Sequence, residues 1–281
     1  MKSELLSNVR GKPRGIRPRE IKLFIDSHCH INFPELATDL DGVTGAMAAN
    51  GVTHALCVSV NLETFPSVLA IAEGFPNIFA SAGVHPDDQS GEEPDIDRLV
   101  DLAGHRKVVA IGETGLDYYR VEGDTEWQRE RFRTHIRAAR RTGKPIIIHT
   151  REAAADTLRI MREESAAEVG GVMHCFTETA ELARQAMKMN FMISFSGIVT
   201  FKNATALKDV AREVPLESML IETDSPYLAP IPFRGKTNQP AYVRFVAEEI
   251  ARLKGISTAT VAEATTANFF KLFKGAAGFK D

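Results

Sequence analysis

The sequence has few cysteines, no long apolar run and no excess of charge of one sign, and each absence excludes a class of protein. Three cysteines in 281 residues cannot form the disulfide framework of a small secreted domain. We therefore expect a reducing compartment and packing roles for Cys29, Cys57 and Cys175. No apolar stretch approaches the roughly 20 residues that cross a bilayer, so we predict a soluble, cytoplasmic protein with no membrane attachment.

The charge is almost balanced along the chain. A formal net charge of −3 provides no overall attraction for nucleic acid, so any affinity for phosphate must be local. Residues 1–20 are basic and rich in glycine and proline, without the apolar segment of a secretory signal. We predict a flexible basic tail over residues 1–20 and a single domain over residues 21–281, because no linker composition interrupts the rest. The composition does not specify an oligomeric state and is compatible with a monomer.

What the sequence does contain is an alternation of short apolar runs with longer segments of helical period. Eight runs read as strands buried on both faces: 23–27, 54–60, 78–84, 108–113, 145–149, 171–175, 191–196 and 219–222. Segments of helical period include 65–73, 96–103, 125–142, 153–164, 180–189, 204–214 and 257–273. Eight such units in about 250 residues predict one α/β domain, a (β/α)8 TIM barrel. Two doubly wound halves are the competing architecture.

Two local patterns refine this prediction. Thr125 and Gln128 resemble a capping box at the start of a helix. Three phenylalanines in the last helical segment, Phe269, Phe270 and Phe273, are typical of core positions. We expect them to pack inside the domain and to have no direct part in function.

Histidines and carboxylates recur at the C-terminal ends of the predicted strands. His28 and His30 follow the first run, and residues two apart in a strand point the same way. Neighbouring neutral imidazoles favour metals such as zinc, iron, manganese or copper. The other strand-end residues of this kind are His85, Glu113, His149, His174 and Asp224. Each has an ordinary explanation as a core histidine or a helix cap, but together they predict an active site at the C-terminal rim of the barrel. Glu222 is interpreted as structural.

The ordered motifs around these residues resemble the TatD family of metal-dependent deoxyribonucleases. The resemblance runs from about residue 23 to the C-terminus and rests on the stretches DSHCHIN (26–32), GVHP (83–86), GETGLDY (112–118), HTRE (149–152), HCF (174–176) and ETDSPYLAP (222–230). Two positions depart from it: Asp87 stands where many members have histidine, and Gln239 where they often have glutamate. These departures concern substrate preference more than chemistry.

The resemblance implies an amidohydrolase-like barrel with two divalent cations, which could be zinc, manganese, magnesium, iron or cobalt. By this resemblance, His28, His30 and Asp224 hold one cation, His149 and His174 hold the other, and Glu113 bridges them. Asp224 would accept and return the proton of the attacking water, so Asp224 and Glu113 are the expected catalytic residues. Asp117 would orient a ligand.

Substrate contacts are less specific in the sequence. Arg151, Arg234 and Lys236 are candidates for binding substrate phosphate, although Arg234 and Lys236 could equally belong to a solvated loop. His85 could form a hydrogen bond with the substrate or simply stabilise the rim of the barrel. Phe33, Phe176 and Tyr227 could stack a terminal base, although aromatic residues near a barrel rim more often serve packing.

Three functions are compatible with these residues. The leading prediction is an exonuclease that acts on single-stranded DNA or DNA ends. The same chemistry would suit an ester or amide hydrolase, such as a D-aminoacyl-tRNA deacylase with tRNA as partner. The third is a non-catalytic metal-binding or interaction protein, which would have no need of a base such as Asp224.

Overall fold

The chain folds as a barrel of parallel strands surrounded by helices. The computed structural model describes residues 23–119, 121 and 123–279, so the predicted tail lies outside the described residues. The strands are β1 Phe24–Cys29, β2 Val52–Cys57, β3 Ile78–Ala82, β4 Val108–Asp117, β5 Ile146–Arg151, β6 Gly171–Met173, β7 Phe191–Phe195 and β8 Met219–Ile221. Each pairs in parallel with the next along the chain. A bridge between Cys29 and Ser225 joins β8 to β1, and the (β/α)8 TIM barrel is confirmed.

Helices cover the outside of the barrel. The described part of the chain contains α1 Pro34–Ala37, α2 Leu40–Ala49, α3 Phe65–Gly74, α4 Ile96–Ala103, α5 Glu126–Thr142, α6 Ala154–Glu163, α7 Ala180–Lys188, α8 Thr205–Glu213, α9 Val243–Lys254 and α10 Thr258–Leu272. Their apolar sides pack on the outer faces of the strands in one large core. Helices α1, α2 and α9 were not among the predicted segments. Within the described residues, no helix is both long enough and apolar enough to span a membrane.

The floor of the barrel is closed by the last helix. Phe269, Phe270 and Phe273 are buried against inward side chains of the strands, among them Ile25 and Phe79. The predicted core role of the three phenylalanines is therefore confirmed. Because the N-terminal side of the barrel is filled with apolar side chains, polar chemistry is confined to the opposite end.

The predicted capping box is wrong. Thr125 makes no side-chain cap on α5, and Gln128 is instead buried and directed at β4. Its amide accepts from the backbone N–H of Asp117 and donates to the carbonyl of the same residue, both at 3.0 Å. Strand β4 extends four residues beyond its predicted end and pairs Asp117 with Arg151. Gln128 therefore satisfies backbone groups at the buried end of this longer strand.

A buried histidine on α5 fixes the end of β3. His135 is fully buried, its Nδ1 donates to the carbonyl of Arg131 at 2.8 Å, and its Nε2 accepts from the backbone N–H of Val84 at 3.0 Å. Burial lowers the pKa of His135 from 6.5 to about 4. The ring of His135 must therefore be neutral to accept the hydrogen bond from Val84, the residue before His85.

We expect acid to destabilise the protein through His135. The pKa of His135 is lower in the folded state than in the unfolded state, so its contribution to stability is complete above pH 6.5. This contribution is lost as the pH falls towards about 4, and below that pH the residue causes little further change in stability. Between pH 7.5 and pH 5 the loss from this residue is about 2 kcal/mol. Urea unfolding of the native protein and of His135→Gln at both pH values measures it. Equal losses in the two proteins would assign the pH dependence to other groups.

Candidate metal centre

The carboxylate of Glu113 lies at the centre of the C-terminal end of the barrel, between two sets of histidines. Its Oε2 is 3.3 Å from Nε2 of His28 and 3.8 Å from Nε2 of His30. Its Oε1 is 2.6 Å from Nε2 of His174, 3.3 Å from Nδ1 of His149 and 3.4 Å from Nε2 of His85. The two oxygens of one carboxylate therefore face different groups of nitrogen atoms.

Asp224 completes the first of these sets. Its Oδ1 lies 3.4 Å from Nε2 of His30 and 3.7 Å from Nε2 of His28. The backbone of Asp224 has a φ of 57°, a left-handed conformation that is unusual for a residue with a side chain and clusters at functional sites. Its N–H donates to the carbonyl of His28 at 3.0 Å, so that β1 and the segment after β8 are held together at the site.

Irregular strand pairing positions the central residues. Between the pairs Asp26–Ala55 and Cys29–Cys57, two residues of β1 lie opposite one residue of β2. His28 is one of these two residues. Strand β4 has a similar shift between Ile111 and Thr114, which contains Glu113. Such irregularities redirect side chains next to active sites, and here they accompany the two residues that stand nearest the centre.

Close approach of two strands also needs glycine at one position. Gly115 has a φ of 138°, and a Cβ at this residue would lie 2.0 Å from the carbonyl oxygen of His149. Any side chain here would therefore push β5 away from β4. His149 depends on this glycine for its distance from Glu113.

Most of the histidines have an oxygen acceptor on the nitrogen that faces away from Glu113. Nε2 of His149 lies 3.0 Å from Oδ2 of Asp117, the residue predicted to orient a ligand. Nδ1 of His174 lies 3.2 Å from Oε1 of Glu222, and Nδ1 of His30 lies 3.1 Å from the carbonyl of Val58. Such outer partners fix the ring and its tautomer so that the inner nitrogen presents a lone pair.

Asp26 is a positioning residue that the sequence analysis missed. This carboxylate is fully buried. Its Oδ1 accepts from the backbone N–H of Thr223 at 2.9 Å, and its Oδ2 accepts from the hydroxyl of the same residue at 2.5 Å. It thereby ties the strand of His28 to the residue before Asp224. A carboxylate inside the apolar run Phe24–Cys29 was the signal that could have identified it.

The charges of the site reinforce one another. Burial alone would raise the pKa of the Glu113 carboxyl, but the surrounding histidines, His174 above all, lower it well below its usual range. Burial alone would also raise the pKa of Asp224. A hydrogen bond from His30 and the electrostatic effect of His28 outweigh burial, so that this pKa lies well below its usual value. Both carboxylates are therefore anionic at neutral pH.

The donor set fits divalent cations. Three groups of side chains have ligand atoms within 4.8 Å of one another: His28–His30–Asp224, His28–Glu113–His174 and His85–Glu113–His149. Nε2 of His174 is buried and lies 2.6 Å from Glu113, yet the described residues offer it no hydrogen bond of ordinary geometry. Nδ1 of His28 is also buried without a partner among them. Imidazole nitrogen with carboxylate oxygen suits zinc, manganese, iron or cobalt.

A cavity of about 950 Å³ opens onto this centre. Arg151 lines it, and the guanidinium carbon of Arg151 stacks 3.6 Å from the ring centroid of Tyr119. Phe33 and the half-exposed Tyr227 also line it, with ring centroids 6.2 Å apart.

Three predicted substrate contacts lie elsewhere. The lining of this cavity, within the described residues, includes neither Arg234 nor Lys236. The guanidinium carbon of Arg234 instead lies 3.6 Å from the ring centroid of Phe201. Phe176 is buried in the core, where its ring centroid is 6.5 Å from that of Phe195.

Comparison with known proteins finds one family. A family model described as "TatD related DNase" matches residues 25–274. A protein of Escherichia coli K12 named "Uncharacterized metal-dependent hydrolase YcfH" is 48% identical over 252 residues, which cover 89% of this chain and 95% of that protein. The "3'-5' ssDNA/RNA exonuclease TatD" of Citrobacter rodentium is 32% identical over 254 residues, covering 88% and 97%. The crystal structure of YjjV, a TatD homologue from Escherichia coli K12, superposes with a TM-score of 0.84 at 28% identity, covering 90% of this chain and 99% of that one.

Proposed function

Since this chain belongs to the TatD family of metal-dependent hydrolases, we propose that it is a deoxyribonuclease that hydrolyses phosphodiester bonds from an end of single-stranded DNA. The observation that carries the proposal is the position of Glu113, whose two oxygens face separate sets of histidines. A carboxylate in this position can hold two cations at once, an arrangement that stabilises both the attacking and the leaving oxygen of an in-line displacement at phosphorus. The relative named as a single-stranded DNA and RNA exonuclease supports this choice of substrate.

The residues divide into two ligand sets. His28, His30 and Asp224 would hold one cation, His149 and His174 the other, and Glu113 would bridge them. Bound cations would supply Lewis acidity and lower the pKa of water. Two cations exceed the charge of the two carboxylates, so the centre would attract an anionic phosphodiester although the chain as a whole has a net charge of −3.

Side chains of the protein provide the remaining steps. Asp224 is anionic and faces the cavity, where it accepts a proton from the attacking water and later returns it to the leaving oxygen. Arg151 is oriented by its stacking on Tyr119 and binds a phosphate oxygen of the substrate. Phe33 and Tyr227 offer an aromatic surface for the terminal base. Cytoplasmic location and a monomeric state stay predictions.

A comparison of substrates tests the proposal. Single-stranded DNA labelled at either end, the matching duplex, single-stranded RNA and a D-aminoacyl-tRNA are each incubated with the metal-loaded protein. We expect single nucleotides to be released from the single-stranded DNA, and the label at the two ends to reveal the polarity. Release of the amino acid from the tRNA with no cleavage of DNA would replace the nuclease by a deacylase.

A further inference from the structure

We infer that His85 is a third histidine of the second cation site and that Asp87 holds it in that role. The inference deepens the proposed two-cation centre and rests on it. From the sequence, His85 could form a hydrogen bond with the substrate or stabilise the rim of the barrel, and nothing in the motif alone distinguishes these roles from that of a metal ligand. The distinction comes from the neighbours of the two ring nitrogens.

The inner nitrogen of His85 lies beside the same oxygen as the two other histidines of this site. Its Nε2 is 3.4 Å from Oε1 of Glu113, against 3.3 Å for His149 and 2.6 Å for His174. The rings of His85 and His149 meet edge to face, with centroids 4.7 Å apart. Ligand atoms of His85, Glu113 and His149 lie within 4.8 Å of one another. Three imidazoles therefore surround one carboxylate oxygen.

The outer nitrogen of His85 has the partner that a ligating histidine needs. Nδ1 of His85 forms a short hydrogen bond with Oδ1 of Asp87 and also lies 3.2 Å from the backbone nitrogen of the same residue. Because a carboxylate can only accept, the shorter contact places the proton on Nδ1. A proton held on Nδ1 by this carboxylate leaves the lone pair of Nε2 directed towards Glu113. Asp87 stands at a position where many members of the family have histidine. This hydrogen bond gives the aspartate a physical role there.

The same construction occurs at the other two histidines around this oxygen. Asp117 binds the outer nitrogen of His149, and Glu222 binds that of His174. On the opposite side of Glu113, His30 has a backbone carbonyl as its outer partner, and the outer nitrogen of His28 has none among the described residues. Carboxylate partners raise the basicity of ligating imidazoles. His85 thus belongs, by its chemistry, to the set of His149 and His174.

The backbone holds His85 firmly in this place. Its N–H donates to the carbonyl of Val60 at 2.8 Å, and its carbonyl accepts from Nη1 of Arg131 at 2.9 Å. The side chain of His85 is only 17% exposed, whereas that of Asp87 is 63% exposed. The ring is fixed against Glu113, and the carboxylate behind it faces solvent.

A site with three imidazoles and one carboxylate oxygen would discriminate between metals. Magnesium prefers oxygen ligands and retains water, whereas cobalt, zinc and iron accept imidazole readily. We therefore expect the second site to take cobalt much more tightly than magnesium, and this preference to weaken when His85 is removed.

Titration with cobalt(II) tests the assignment without relying on activity. Chelator-stripped native protein, His85→Ala, Asp87→Asn and a control, His105→Ala, are titrated against a competing chelator while the visible absorption is recorded. His105 pairs with Glu73 outside the cluster. We expect His85→Ala to weaken one of two cobalt sites at least 10- to 100-fold and to change the ligand-field absorption. Asp87→Asn should weaken the same site about tenfold, and the control should match the native protein.

The outcomes separate this inference from the function on which it rests. Two cobalt sites in His85→Ala with native affinities and absorption would overturn the role of His85 and leave the two-cation centre standing. Native protein that binds fewer than two cobalt ions would contradict the centre itself. Circular dichroism of each stripped variant verifies folding, and Asp87→Asn, a change at an exposed side chain, tests the same site with little demand on the fold.

Discussion

Replacing Asp224 by asparagine is expected to lower turnover on single-stranded DNA by about 10²- to 10⁴-fold, the usual contribution of a general base. The amide has nearly the shape of the carboxylate and keeps an oxygen for a cation, but it cannot accept a proton from water. The loss should therefore appear in kcat while KM changes little, because an interaction made only in the transition state is removed.

The structure explains why Asp224 suits this role better than the other carboxylates. Its Oδ1 faces Nε2 of both His28 and His30, and the residue lines the cavity. Glu113 is almost completely buried among the histidines, and Glu222 is occupied by His174 and the backbone of Cys175. Glu113 also lines the cavity, but its side chain is only 3% exposed against 16% for Asp224, so Asp224 is the more accessible of the two carboxylates that contact the histidines.

Single-turnover assays of the Asp224→Asn protein, with its metal content measured, check the prediction. Asp88→Asn is the matched control, because Asp88 lines the same cavity but is bound to Asn61 and Ser90. We expect the control to have nearly native turnover. Native turnover in metal-loaded Asp224→Asn would exclude this residue as the base.

The sequence predicted the eight strands because each contains a short run of apolar residues. It also predicted which residues would meet, since histidines and carboxylates at the C-terminal ends of parallel strands must converge. In the structure His28, His30, Glu113, His149, His174 and Asp224 indeed lie around one point. Which of them share a cation stays a prediction.

Other features could not be read from the pattern. The extension of β4 to Asp117 was missed because Thr-Gly-Leu-Asp reads as a turn, whereas pairing with β5 keeps it extended. The role of Gln128 depends on a contact between a helix and a strand end that local periodicity does not contain. Tertiary packing decided both.

Glu113→Gln is expected to remove both cations and with them essentially all hydrolysis. A glutamine offers one carbonyl oxygen, and its other terminal atom is an amide nitrogen with no lone pair for a metal. It cannot present an oxygen to His28 on one side and to His174 on the other, as Glu113 does at 3.3 and 2.6 Å. The loss of two Lewis acids costs several kcal/mol of transition-state stabilisation, which corresponds to at least about 10³-fold in rate.

Elemental analysis with a matched variant distinguishes a bridge from an ordinary ligand. We expect about two cations per chain in the native protein and, in His149→Ala, about one. The Glu113→Gln protein should contain fewer than one cation per chain, because this single substitution affects both sites. Cation binding also stabilises the folded state, so a chelator should lower the melting temperature of the native protein and leave that of Glu113→Gln unchanged. If Glu113→Gln retained two cations and its melting temperature still fell on chelation, each site would be complete without a bridge, and the shared carboxylate would be positioning the histidines rather than holding metal.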